Sequence, residues 1–180
     1  LMHALNNYGV KAKMLVRQKS TNEITVVGLQ GWWRQRWHFL WERLVVFLHL
    51  HGTRQRLFEL DIANAGTDIT RTEEFKEADI IHLHWINQGM LSLGNIRKIL
   101  RSGKPVVWTM HDIWPATAIC HVTLNCRKFT SGCSNCRLLP RNGASHDLAY
   151  QTWQKKLAML RDENIYYVAC SRWMEQAANK

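Results

Sequence analysis

The sequence predicts an α/β domain built on a parallel sheet, and two observations carry that prediction. Two short apolar runs, Ile80, Ile81 and Leu83 in one and Val106, Val107 and Trp108 in the other, each end at once in polar residues that can do chemistry. His84, Trp85 and Asn87 close the first run; Thr109, His111 and Asp112 close the second. Between them Leu93, Ile96, Ile99 and Leu100 recur at helical spacing. Strand, helix, strand is the unit from which parallel sheets are made. In open sheets of that kind ligands sit beyond the carboxyl ends of the strands, where both polar clusters fall.

The other elements follow in order. Leu1, Ala4 and Leu5 ahead of Asn6, Asn7 and Gly9 read as the end of a helix, so the domain is expected to be incomplete at its start. Residues 10–16 alternate as a strand does, with lysines that suit a sheet edge, and 17–22 form a polar loop. Residues 29–50 hold Trp32, Trp33, Trp37 and Trp41 interleaved with Arg34, Arg36 and Arg43. At helical pitch Trp33, Trp37, Leu40, Trp41, Leu44, Val45 and Leu48 share one face, and Arg34, Gln35, His38 and Glu42 lie opposite. Three readings fit such a helix over 32–50: packing of the apolar face on the sheet, docking on an anionic membrane surface, or stacking on single-stranded nucleic acid. Residues 61–71 are too polar for a core and read as a connector; Thr70 or Thr72 can cap the short helix that follows.

Residues 138–147, with Pro140 and Gly143, read as loop. An amphipathic helix over 148–162 presents Leu148, Tyr150, Trp153, Leu157 and Leu160, and 165–170 reads as a buried strand with Ser171 at its carboxyl end. A last helix is expected over 172–179.

The chain has 180 residues, 46% of them hydrophobic, enough for one domain with a real core. No apolar run approaches the roughly eighteen residues that span a bilayer. A formal charge of +10 points to anionic partners without choosing among nucleic acid, lipid headgroups and a phosphorylated substrate. Five cysteines without a visible secretory signal favour a reducing compartment, hence a cytoplasmic protein, peripheral on the inner face of the membrane if the Trp-rich helix docks there.

Cys120, Cys126, Cys133 and Cys136 are spaced C-x5-C-x6-C-x2-C, with His121 beside the first. Four thiolates in one loop can converge on a structural Zn2+, which takes soft donors in a tetrahedron. Two disulfides or free thiols are the other readings, and four cysteine ligands would leave no open position for catalysis. Cys170, in an apolar strand, reads as a buried thiol. His111 and Asp112 directly follow a strand, where they face a cleft or simply cap the next turn. His82 and His84 share one side of their strand, but spacing supplies no third metal ligand for them.

Taken together, DIIHLHWIN, GKPVVWTMHDIW and the cysteine loop resemble the amino-terminal domain of bacterial group 1 (family 4) glycosyltransferases, in the branch found in surface-polysaccharide clusters. The resemblance runs from about Leu1 to the SRWMEQAA segment and covers most densely His82 to Asn87 and Thr109 to Cys136. It implies the amino-terminal half of a GT-B fold: a Rossmann-like parallel sheet flanked by helices, here residues 1–180, that binds a glycan or lipid-linked acceptor. A carboxyl-terminal domain outside this sequence would hold a nucleotide-sugar donor. It also implies sugar transfer with retention of configuration and no catalytic metal, as a hexosyltransferase-like enzyme. The implied catalytic residues are His111 and Asp112; His84, Trp85, Asn87 and Ser171 are the implied substrate-binding residues. The family's glycine-rich donor loop and paired-glutamate pattern are missing, so this stretch alone is expected to be inactive, and Arg137 stands where a proline is usual. The contrasting reading is a zinc-stabilised nucleic-acid-binding or membrane-docking module without catalysis. Against the nucleic-acid version, the cysteines follow a strand instead of framing a recognition helix.

Overall fold

The computed structural model describes residues 1–161 and 163–178, so the helix ends expected at 162 and 179 lie outside the described residues. The helices are α1 (Met2–Asn7), α2 (Trp32–His49), α3 (Glu73–Glu77), α4 (Leu93–Leu100), α5 (Leu148–Leu160) and α6 (Arg172–Ala178). The strands are β1 (Met14–Val16), β2 (Val26–Gly28), β3 (Ile81–Leu83), β4 (Val106–Met110) and β5 (Ile165–Ala169).

Among the described residues these strands pair in parallel, as expected, but in two sheets, β1 with β2 and β3-β4-β5 in that order; one isolated bridge, Leu60 with Cys120, is antiparallel. β1 covers only the last three residues of the alternating stretch, and β2 pairs with it across a loop in which sequence periodicity marked nothing. Leu15 of β1 still packs against the core of the larger sheet, so the two sheets share apolar contacts without sharing a ladder.

That core gathers Ile81, Leu83, Val106, Trp108, Ile96 and Ile99. It forms because β3 alternates buried, exposed, buried, and α4 turns Ile96, Ile99 and Leu100 inward. The Ser92 hydroxyl accepts from Asn95 N at 3.1 Å and Asn95 Oδ1 accepts from Ser92 N at 3.0 Å, a reciprocal cap that fixes where α4 begins. Thr72 caps α3 with a single bond, its hydroxyl accepting from Phe75 N.

Four expectations are corrected. First, the reading in which the apolar face of α2 packs on the sheet falls: Gln35, Glu42, Arg43 and Val46 are buried, whereas Trp33, Trp37, Leu40, Trp41, Leu44 and Leu48 face out. Second, the connector 61–71 is core, with Asp61, Ile62, Ala63, Thr67 and Ile69 all buried. The two corrections have one cause. Glu42 Oε1 accepts from Ile62 N at 3.1 Å and Ala63 N at 2.7 Å, Arg43 Nη1 donates to Leu60 O at 2.9 Å, and Arg43 Nη2 lies 3.5 Å from Asp61 Oδ2. Polar residues of the helix thus satisfy polar backbone of the connector, and both become interior together. Third, α5 buries Leu148, Ala149, Thr152, Lys156 and Met159 and leaves Leu157 exposed, because Lys156 Nζ donates to the carbonyls of Trp114 and Thr117 (2.8 Å to the latter). Fourth, β5 is an edge strand with Tyr166, Tyr167 and Val168 exposed, and Cys170 beyond it is exposed too.

Candidate functional site

The register of β3 on β4 decides what meets at their ends. Ile81 pairs with Val106, His82 with Val107 and Leu83 with Trp108, so residues 84–85 leave the sheet beside residues 109–112. His82 Nε2 is 2.7 Å from Thr109 Oγ1, and His84 Nδ1 is 2.9 Å from His111 Nε2. Trp85 Nε1 donates to Asp112 Oδ2 at 3.2 Å. From the end of β5 Cys170 Sγ approaches His111 Nδ1 at 3.8 Å.

Asp112 is the hub of this group. Its Oδ2 also accepts from His121 Nδ1 at 2.7 Å, and its Oδ1 accepts from Trp114 N at 2.9 Å, so it caps the next turn and serves the cluster at once. Burial alone would raise its pKa, but the hydrogen bonds and charge of His121, with those of Trp114 and Trp85, outweigh it and hold the carboxyl below its ordinary value. The pKa values of two histidines are lowered as well, which for an imidazole favours the neutral form. Burial and the neighbouring imidazoles lower the pKa of His84, and burial with the charge of His111 lowers that of His82. Imidazoles beside a carboxylate can give and take hydrogen bonds from hydroxyl groups, and His111 is open to solvent.

Of the sequence-predicted residues, His84, Trp85, His111 and Asp112 are thus brought together. Asn87 is buried, its Nδ2 without a protein partner. The Ser171 hydroxyl accepts from Met174 N at 3.1 Å and caps α6. His121 and Cys170 join the cluster although sequence reasoning gave neither a role there; adjacency to Cys120 and to Ser171 was the only signal.

Both loops of the site are tied to one buried strut. Asp61 Oδ2 accepts from Gln88 N at 2.8 Å, while the Asp61 carbonyl accepts from Trp114 Nε1 at 2.9 Å. Gly89, at φ +81°, brings the same loop so near α2 that a Cβ there would stand 2.6 Å from Phe39 N. Burial and the charge of Asp61 raise Glu42, on the α2 side of the strut, to about 8.

The four clustered cysteines are all free, which removes the disulfide reading. They line a cavity of about 30 Å³ together with Ala118, Thr123 and Phe129. In number and softness they suit Zn2+, but among the described residues no three or more His, Cys, Asp or Glu side chains converge as a metal-binding set. Burial raises the thiol pKa of Cys120, Cys133 and Cys136, as it does for thiols held neutral. A larger groove of about 890 Å³, lined by Arg71, Lys76, Arg97, Lys98 and Lys104 among others, opens near the amino ends of β3 and β4, away from the histidines. Its cations are largely engaged: Lys98 pairs with Asp68 at 2.7 Å, and Lys104 Nζ donates to the carbonyls of Lys76 and Ala78.

One comparison bears on this geometry. Over 91 residues the chain is 29% identical to a protein of Escherichia coli (strain K12) that carries the provisional name colanic acid biosynthesis glycosyl transferase WcaC. The chain is distantly related to a glycosyltransferase. The match takes in 47% of this chain and 22% of that protein's length. No family model and no solved structure matches. No helix among the described residues is long and apolar enough to cross a membrane.

Proposed function

We propose that this chain is the acceptor-side, amino-terminal part of a GT-B glycosyltransferase of the group 1 (family 4) kind, acting in surface-polysaccharide assembly in the cytoplasm. The whole enzyme transfers a hexose from a nucleotide-sugar to a glycan or lipid-linked acceptor with retention of configuration. The relative's name supports transferase chemistry in general. The observation that carries the reading here is the meeting of His84, His111 and Asp112 at the carboxyl ends of adjacent parallel strands.

In this reading His111 offers a ring nitrogen to a hydroxyl of the reacting sugar, and His84 fixes its tautomer. Asp112 contributes a fixed negative charge near the positive charge that grows on the sugar carbon as the leaving group departs, a form of electrostatic stabilisation. Trp85, 46% exposed and steered by its hydrogen bond to Asp112, presents a flat apolar face suited to stacking on a sugar ring. The resemblance adds Asn87 and Ser171 as substrate-binding residues, although Asn87 is buried and the Ser171 hydroxyl caps α6. A structural Zn2+ held by Cys120, Cys126, Cys133 and Cys136 is part of the proposal, supported by the one cavity that all four line. The test is sugar transfer by the full-length enzyme from a panel of nucleotide-sugars to a lipid-linked acceptor. His111→Ala is expected to lower turnover by about tenfold or more with the fold intact. Turnover unchanged in that variant removes His111 from the site.

A further inference from the structure

The outward face of α2 is not accidental, because the helix cannot roll. Gln35 Nε2 donates to the carbonyls of Leu29 and Gln30, Glu42 takes two backbone N–H groups, and Arg43 reaches Leu57, Leu60 and Asp61. Turning the indoles inward would leave the Ile62 and Ala63 N–H groups and the Asp61 carboxylate without these partners, a cost that opposes the gain in apolar burial.

What remains outside is one stripe. Trp33 (76% exposed), Trp37 (63%), Leu40, Trp41, Leu44 and Leu48 run along the helix for about 22 Å, far more than a scatter of single exposed residues. The charge that α2 itself exposes has one sign. Arg34 and Arg36 are exposed on its two flanks, and Glu42, the acid of α2, is buried. Beyond the helix end lie exposed His51 and Arg54. The Arg36 guanidinium lies 5.6 Å from the centre of the Trp32 ring, an amphipathic unit with an apolar plate and a cationic edge. Indoles sit at headgroup depth in bilayers, and arginines beside them meet lipid phosphates.

We propose that α2 docks lengthwise, tryptophan face down, on an anionic phospholipid surface. With Arg34, Arg36, Glu42 and Arg43 along its length it lies on the bilayer and does not cross it. The proposal is independent of the transferase reading, since a transferase without it could still use a soluble acceptor, and docking could serve another activity.

The test is co-sedimentation of the full chain with vesicles of phosphatidylcholine, alone or carrying about 30% phosphatidylglycerol. Binding is expected only with the anionic lipid, weakening as salt rises, with tryptophan emission quenched by bromine placed on the upper acyl chain. A combined Trp33→Ser, Trp37→Ser and Trp41→Ser variant is expected to bind at least about tenfold more weakly. Replacing Arg34 and Arg36 by Gln is expected to cost up to about fivefold per residue. Because these side chains project from the fold, circular dichroism should be unchanged; if the tryptophan variant fails to fold, the arginine variant and the bromine quenching decide. No binding to anionic vesicles overturns the proposal, as does equal binding to neutral ones or indifference to the substitutions. So does poor quenching by aqueous acrylamide without lipid, which would mean that another part of the protein or a second copy covers the stripe.

Discussion

His84 Nδ1 and His111 Nε2 lie 2.9 Å apart across the ends of two adjacent parallel strands. A single hydrogen between two ring nitrogens locks their tautomers together: whichever ring donates dictates what the other presents on its far side. On the far side His111 Nδ1 has only the long contact with Cys170 Sγ at 3.8 Å, so Nδ1 is the nitrogen a hydroxyl would take, in place of that thiol.

The pair should therefore behave as a unit in catalysis. In the full-length enzyme, His84→Ala and His111→Ala are each expected to reduce kcat by about tenfold, and the double variant by scarcely more than either, since each removes the same oriented hydrogen bond. Single-turnover rates of the four proteins give the coupling. Losses that multiply would mean the two rings act separately.

Glu42 predicts a pH dependence of stability. Its pKa is raised from 4.5 to about 8 by burial and by Asp61, so the fold keeps a proton that the unfolded chain releases near the ordinary value. Stability from this group is full below about pH 4.5 and is lost as pH rises toward about 8, because unfolding releases the proton in that window. Glu42→Gln keeps an oxygen for Ile62 N and Ala63 N and removes the titration. Urea unfolding at several pH values is expected to show wild-type stability falling relative to the variant as pH rises. Parallel curves would mean that Glu42 titrates near its ordinary value.

The cysteines predict a metal. Protein purified without chelator is expected to carry about one zinc per chain, and a strong chelator should lower its melting temperature, because the ion would cross-link a loop with few apolar residues of its own. Elemental analysis giving less than about half an equivalent would leave four free thiols packed beside Leu138 and Ala149.

The elements that could be read from the sequence are those whose signal is local. β3, α4 and β4 were legible because a buried strand, a capped helix and a second buried strand each write their period within a few residues. The polar clusters at the strand ends were legible for the same reason, since parallel pairing places equal strand ends together. Helix facing was not legible. Periodicity finds the apolar stripe of α2 but cannot know that Glu42 and Arg43 have partners at 57–63, or that Lys156 of α5 has two waiting carbonyls. Exposure of β5 depends on what lies beside it, and burial of Asn87 on the loop that covers it. Partners distant in the chain settled all of these, and a single sequence does not display them.

Gly89 ties these long-range contacts to the site. Its φ of +81° is one that side chains rarely adopt, and an added Cβ would stand 2.6 Å from Phe39 N and 2.9 Å from the His38 carbonyl carbon, both backbone atoms of α2 that cannot swing aside. Gly89→Ala must therefore push the loop after β3 away from α2, straining the bond from Gln88 N to Asp61 and shifting Trp85. The expected cost is about 1 to 3 kcal/mol in chemical unfolding. If the loop carries acceptor-binding residues, KM for the acceptor should rise more than kcat falls, because Trp85 and Asn87 move while His111 and Asp112 stay on β4's own extension. A variant with wild-type stability would show that the loop does not lie against α2, and intact stability with unchanged KM would detach Trp85 and Asn87 from the acceptor site.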